Sequence, residues 1–94
     1  MGNQAAELHA DCQAGMFAAV EERDGLLDVG DVCEAFRGLC AAGDPFESPW
    51  FQPGAHGTCE QRTQAFETGY QGMKALLDED CETTPAAAIQ RICG

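Results

Sequence analysis

Six cysteines fall within 94 residues, at Cys12, Cys33, Cys40, Cys59, Cys81 and Cys93, and their spacing narrows what they can do. No two stand at the C-x-x-C spacing of zinc ribbons or thioredoxin-like redox sites. The two histidines, His9 and His56, make no H-x3–5-H pair. That pattern argues against a Cys/His zinc site. Structural disulfides are the expected use, with buried free thiols as the alternative. Disulfides imply an oxidising compartment, hence an extracellular, periplasmic or cell-envelope location. The opening MGNQAAELHAD has neither a basic n-region nor an apolar h-region. With disulfides this leads to the expectation of a piece excised from a longer secreted or membrane-anchored protein.

The apolar pattern is helical throughout. Leu8, Cys12, Met16 and Ala19 recur at helical intervals over 4–23, with Ala5 and Val20 widening the stripe. Asp24-Gly25 ends that helix. Val32, Phe36, Leu39 and Cys40 share a face over about 29–42, and Gly43 marks the end. Residues 44–57 hold Pro45, Pro49 and Pro53 beside Phe46, Trp50 and Phe51, which predicts an irregular Pro/aromatic loop. Thr58-Cys59-Glu60-Gln61 has the form of a capping box that opens a third helix to about Leu77, with Phe66, Tyr70, Met73 and Leu77 as its stripe. Thr84-Pro85 places proline at the first position of a short last helix, 85–92. The expected fold class is all-α: a single helical domain over 1–94, three main helices and a short C-terminal one, stapled by disulfides.

Helix geometry limits the pairings. Cys33 and Cys40 lie about 10.5 Å apart along a continuous helix, beyond the ~7 Å that a disulfide spans between Cα atoms. Each should therefore staple that helix to a different partner. Cys40 and Cys59 flank the proline loop and are expected to close it. Cys12 with Cys81 and Cys33 with Cys93 complete the expected set.

Sixteen acidic residues against five basic ones give a formal net charge of −11. Such a chain is not built to neutralise phosphates, which excludes nucleic acid as a partner, and it is repelled by anionic membranes. No apolar run approaches the roughly 18 residues of a membrane span. Glu7 and Asp11 stand one helical turn apart. Such a pair repels unless it is solvated or bridged by a cation. Glu60 and Arg62 read as a first-turn charge and an ion-pair residue. Trp50 and Phe51 are candidates for a partner-binding patch, with core cover as the other reading. No Ser-His, Cys-His or paired-acid arrangement marks a free-standing hydrolase.

Three segments resemble a known family. Ala6-Glu7-Leu8-His9-Ala10-Asp11-Cys12-Gln13-Ala14-Gly15 is similar to the E-L-x-A-D-C-x-A-G helix of neutral zinc metallopeptidases. Gly30-Asp31-Val32 followed by Ala35 resembles that family's GD-[IV]-x2-A helix start. His56-Gly57-Thr58-Cys59-Glu60-Gln61-Arg62, followed by Phe66, Gly69 and Tyr70, resembles its H-G-[ST]-x-E-Q-R-x3-F-x2-G-[FY] segment, and Cys81 also fits. The resemblance spans about residues 5–81. It implies an architecture in which two histidines of an H-E-x-x-H helix hold zinc and a later helix supplies a third ligand. By resemblance that third ligand is Glu7, and Asp11 is the carboxylate that orients a ligand histidine.

This chain carries no H-E-x-x-H. His9 stands two residues from Glu7 and so points elsewhere on the helix; it is read as edge-packed, and His56 as ordering its loop. The expected function is therefore a noncatalytic C-terminal lobe of a metallopeptidase-like protein, not an enzyme as it stands. It would bind no cofactor alone, zinc belonging to the parent family, and its partner would be a protein or the missing catalytic segment. The alternative is a small secreted disulfide-rich helical module that binds a protein or apolar ligand and is unrelated to peptidases.

Overall fold

The computed structural model describes residues 3–42, 57–79 and 82–94. Four helices make up the described fold: α1 (Asn3–Arg23), α2 (Val29–Ala42), α3 (Cys59–Glu79) and α4 (Pro85–Cys93). Each boundary has a local cause. At the end of α1, Gly25 takes φ +77°, its N–H bonds to the Glu22 carbonyl, and the Leu26 N–H bonds to the Glu21 carbonyl. This is a Schellman stop that favours glycine. The Asp31 carboxylate reaches back to the Asp28 N–H at 2.9 Å to open α2. The expected capping box opens α3: Thr58 N–H donates to Gln61 Oε1 at 2.9 Å, and Gln61 N–H donates to Thr58 Oγ1 at 3.2 Å. Thr84 caps α4 by accepting from the Ala87 N–H, with Pro85 at the first position.

The chain runs up, down and up again. Asp11 faces Arg62, Gly15 faces Phe66, and Glu22 faces Tyr70 and Lys74, so α1 and α3 are parallel neighbours. α2 runs antiparallel on one flank of this pair. Ala18, Ala19, Val32, Phe66 and Tyr70 form the core there, with Phe36 and Phe66 packed edge to face at 5.2 Å. α4 lies along the other flank, where Met16, Leu76 and Ala88 form a second cluster with Ile89 and Ile92 against it.

α1 and α3 approach to backbone contact. A methyl group built on Gly15 would collide with the Phe66 carbonyl oxygen, and one on Gly69 with the Cys12 carbonyl oxygen. The two glycines are reciprocal notches, each receiving the backbone of the other helix. The stripe of α1 that faces α3 is therefore Asp11, Gly15, Ala18 and Glu22, at helical intervals, beside the expected Cys12, Met16 and Ala19. Ala5 is exposed. On α3, Phe66, Tyr70 and Met73 keep their expected place. Leu76, 3% exposed, replaces Leu77 as the last core residue because α4 packs on that flank, with Ala88 in the same cluster.

Two disulfides staple the flanks. Cys40–Cys59 joins the end of α2 to the start of α3, as expected from the loop between them. The second joins Cys12 to Cys93, with Cα atoms 5.9 Å apart, in place of the expected Cys12–Cys81 and Cys33–Cys93 pairs. Cys81 lies outside the described residues. Cys33 is exposed and unpaired among them, which corrects its assignment as a disulfide cysteine. The reason is topological: α4 ends on the α1·α3 flank opposite α2, so Cys93 meets Cys12 and not Cys33. In the chain-entropy account, closing loops of 19 and 81 residues contributes about 3 and about 4.5 kcal/mol. Trp50, Phe51 and His56 also lie outside the described residues, with the rest of the Pro/aromatic loop up to that point.

Gly69→Ala should lower stability by about 2–3 kcal/mol, although alanine gains about 1 kcal/mol of helix propensity. Gly38→Ala, with nothing within 4 Å of its new methyl, should raise stability by about 0.5–1 kcal/mol. Urea midpoints followed by helical circular dichroism measure both; equal shifts for the two would show that the notch is not tight.

Candidate functional site

Arg62, in the first turn of α3, reaches across the helix pair into the acidic stripe of α1. Its Nε and Nη2 donate to Asp11 Oδ2 and Oδ1 at 2.8 and 2.9 Å, a parallel two-point pair. Nη2 also lies 3.5 Å from Glu7 Oε2. Nη1 donates to the Ala42 carbonyl, the last of α2, at 3.4 Å. One guanidinium thus joins α1, α2 and α3. The i, i+4 carboxylates are bridged by a cation, and that cation is an arginine.

The two acids differ sharply in access. The Asp11 side chain is 6% exposed and that of Glu7 37%. Asp11 has its partner inside the fold, among the described residues the arginine rather than a histidine. Glu7 lies toward the edge of the helix layer, one turn nearer the N-terminus of α1. Gly57, at φ +91° and 3.1 Å from the Leu8 side chain were it to carry a methyl, brings the chain over this end of α1 before the α3 cap. His9 does not turn toward the acids. Its Nδ1 lies 2.7 Å from Gln13 Nε2, one turn along α1.

A second polar cluster sits at the other end of the pair. The Tyr70 phenol donates to Glu22, 2.7 Å from each carboxylate oxygen. Lys74 Nζ is 3.7 Å from the same carboxylate and 5.1 Å from the centre of the tyrosine ring, over its face. Burial first, then the Glu22 carboxylate, pushes the phenol above its usual value of 10.0. Lys74 is pushed above 10.5, first by the Tyr70 oxygen and then by Glu22.

Among the described residues no three His, Cys, Asp or Glu side chains are gathered to hold a metal ion, and no helix is long and apolar enough to cross a membrane. Asp11 has both oxygens bound to Arg62, and His9 serves Gln13. Among the described residues, Glu7 is the donor of the zinc-peptidase resemblance that stands at an accessible edge, and Asp11 is buried. These residues do not by themselves fit a zinc ion.

The family described as putative neutral zinc metallopeptidase has a model that matches residues 3–83. The chain belongs to this family. No curated protein and no solved structure gives a significant match. The match covers all of α1, α2 and α3, and so the Glu7/Asp11 helix and the Arg62 segment together. Family membership also sets aside the alternative of a module unrelated to peptidases.

Sequence reasoning identified the acid pair and read Arg62 as an ion-pair residue, but did not join them. A signal was present. Two carboxylates one turn apart call for a cation, and only five basic residues exist to supply it. The Tyr70–Glu22–Lys74 cluster was not anticipated. Lys74 and Tyr70 are one turn apart on α3, but nothing local ties them to Glu22.

Removing one partner of a buried pair leaves the other charge without compensation. Arg62→Met should therefore cost about 3–5 kcal/mol, and Arg62→Lys should recover less than half of it, because an ammonium cannot make the two-point pair. Asp11→Asn with Arg62→Met should lose less than the sum of the singles; additive losses in urea would deny the coupling. The protein's one tyrosine gives a clean reporter for the second cluster. Its ionisation, read at 295 nm, should have a midpoint above 10.0 and fall in Glu22→Gln. The folded state then holds this proton more tightly than the unfolded chain does. Its contribution to stability is whole below pH 10 and is lost as pH rises through the folded midpoint. A native midpoint at or below 10 would contradict the cluster.

Proposed function

We propose that this chain is the helical lobe of a zinc-metallopeptidase-like protein that follows the zinc-binding helix, and that it is noncatalytic on its own. Its role is structural or partner-binding: it completes and supports a site whose other donors come from an H-E-x-x-H segment or from a protein partner. The observation that carries this reading is the division of labour in the acid pair. Asp11 is buried on Arg62 and locks α1 against α3. Glu7, one turn away, stays over a third exposed and lies 3.5 Å from the same guanidinium. A carboxylate that serves a centre completed elsewhere has to be positioned yet reachable, and Glu7 is both. The absence of H-E-x-x-H from the sequence supports a noncatalytic chain, since a catalytic zinc takes three protein ligands beside its water. The two disulfides support an extracellular, periplasmic or cell-envelope location.

Zinc titration by calorimetry on the oxidised chain tests the reading, repeated with Glu7→Ala. Binding no tighter than about millimolar is expected for both, because one carboxylate is too few ligands. Micromolar binding abolished by Glu7→Ala would mean that the chain builds a complete centre and would overturn the noncatalytic assignment.

A further inference from the structure

On the side of α1 turned away from Glu7 and Asp11, an apolar groove of about 360 Å³ runs between α1 and α4. Met16, Phe17 and Val20 form one wall, Ala88 and Ile89 the other, and Met73 of α3 the floor; among the described residues no charged side chain lines it. Phe17 stands 63% exposed at its lip. A phenyl ring left in water beside a groove is an apolar surface lacking a partner.

The charge around the groove defines that partner. Glu21 follows Phe17 by one turn on the same side of α1, and exposed Glu82 directly precedes Thr83 of the lining. The bases of the two wall helices are engaged: Arg23 pairs with Asp24 and Arg91 with Glu79. The whole chain carries −11. A second copy would bring the same charge and be repelled, as would an anionic lipid surface.

We infer that the α1/α4 groove is a docking site for a basic amphipathic helix of a protein partner. The apolar face of such a helix, with anchors at i, i+3, i+4 and i+7, fits a trough between two helices. Met16 and Met73 adapt its walls and floor to the incoming side chains. The acids at the rim meet the basic face and hasten association. The inference is independent of the role proposed for Glu7, which lies on the opposite side of α1.

The probe is a fluorescein-labelled Leu/Lys peptide of about five helical turns, with leucines on one face, titrated by anisotropy against the oxidised chain. Its control is a scrambled peptide of the same composition that forms no apolar face. The amphipathic peptide should bind with a Kd of micromolar order, weakening with salt. Phe17→Asp should weaken binding by roughly tenfold or more while helical circular dichroism stays unchanged, because Phe17 is outside the core. Glu21→Lys should weaken it chiefly at low salt. Equal binding of the scrambled peptide, no loss in Phe17→Asp, or no binding at all would each overturn the inference. So would sedimentation of the chain as a dimer that Phe17→Asp dissociates, which would make a second copy the occupant.

Discussion

The close approach of α1 and α3 at Gly15 and Gly69 is the constraint on which the other contacts rest. With each glycine receiving the opposite backbone, two parallel helices sit close enough for short side chains to fill the seam. Ala18 and Ala19 can then be core residues at 9% and 2% exposure. Arg62 can reach Asp11 across the pair, and Tyr70 can reach Glu22. Parallel neighbours are not joined by a short turn, so the chain must run back between them. α2 makes that return and covers one flank of the seam. α4 is then left the other flank, which fixes the pairing of Cys12 with Cys93.

Polar and apolar terms divide the seam by position. Its middle is held by packing between backbones and small side chains, where dispersion and loss of apolar surface to water both act. Its ends are held by charge. Arg62 closes one end onto Asp11, Glu7 and the last carbonyl of α2. Glu22, Tyr70 and Lys74 close the other. A buried ion pair contributes little net stability but penalises any slip that separates its charges. The two polar ends therefore act as register marks for helices whose small-residue seam would otherwise tolerate sliding. That register also fixes Glu7 at the edge of the layer, which is where the proposed function needs it.

Family membership and structure bear on different questions. The match over residues 3–83 assigns the lineage, while the positions of Glu7, Asp11 and His9 show how few of the donors a zinc centre needs are gathered among the described residues. The groove between α1 and α4 belongs to a different part of the surface and has a different chemistry, apolar with an acidic rim. One helix, α1, thus carries both faces, the carboxylates on one side and Phe17 on the other.

The sequence by itself determined the local structure. Helix starts and stops were legible because capping is set by neighbours in the chain: Gly25, Thr58 with Gln61, and Thr84 with Pro85 each satisfy backbone groups a few residues away. The Cys40–Cys59 bridge was legible because both cysteines flank one loop. The all-helical class and the family were readable from period and motif. Only the tertiary structure decided which stripe of α1 is buried, since Asp11, Gly15, Ala18 and Glu22 look polar or small and become a seam only when α3 brings its own glycine and its arginine. It likewise decided that Leu76 and not Leu77 is core, that Cys93 meets Cys12, and that Cys33 is left exposed. Each of these depends on which helix lies beside which, and a pattern of hydrophobicity along one helix carries no information about the partner's small residues and charges.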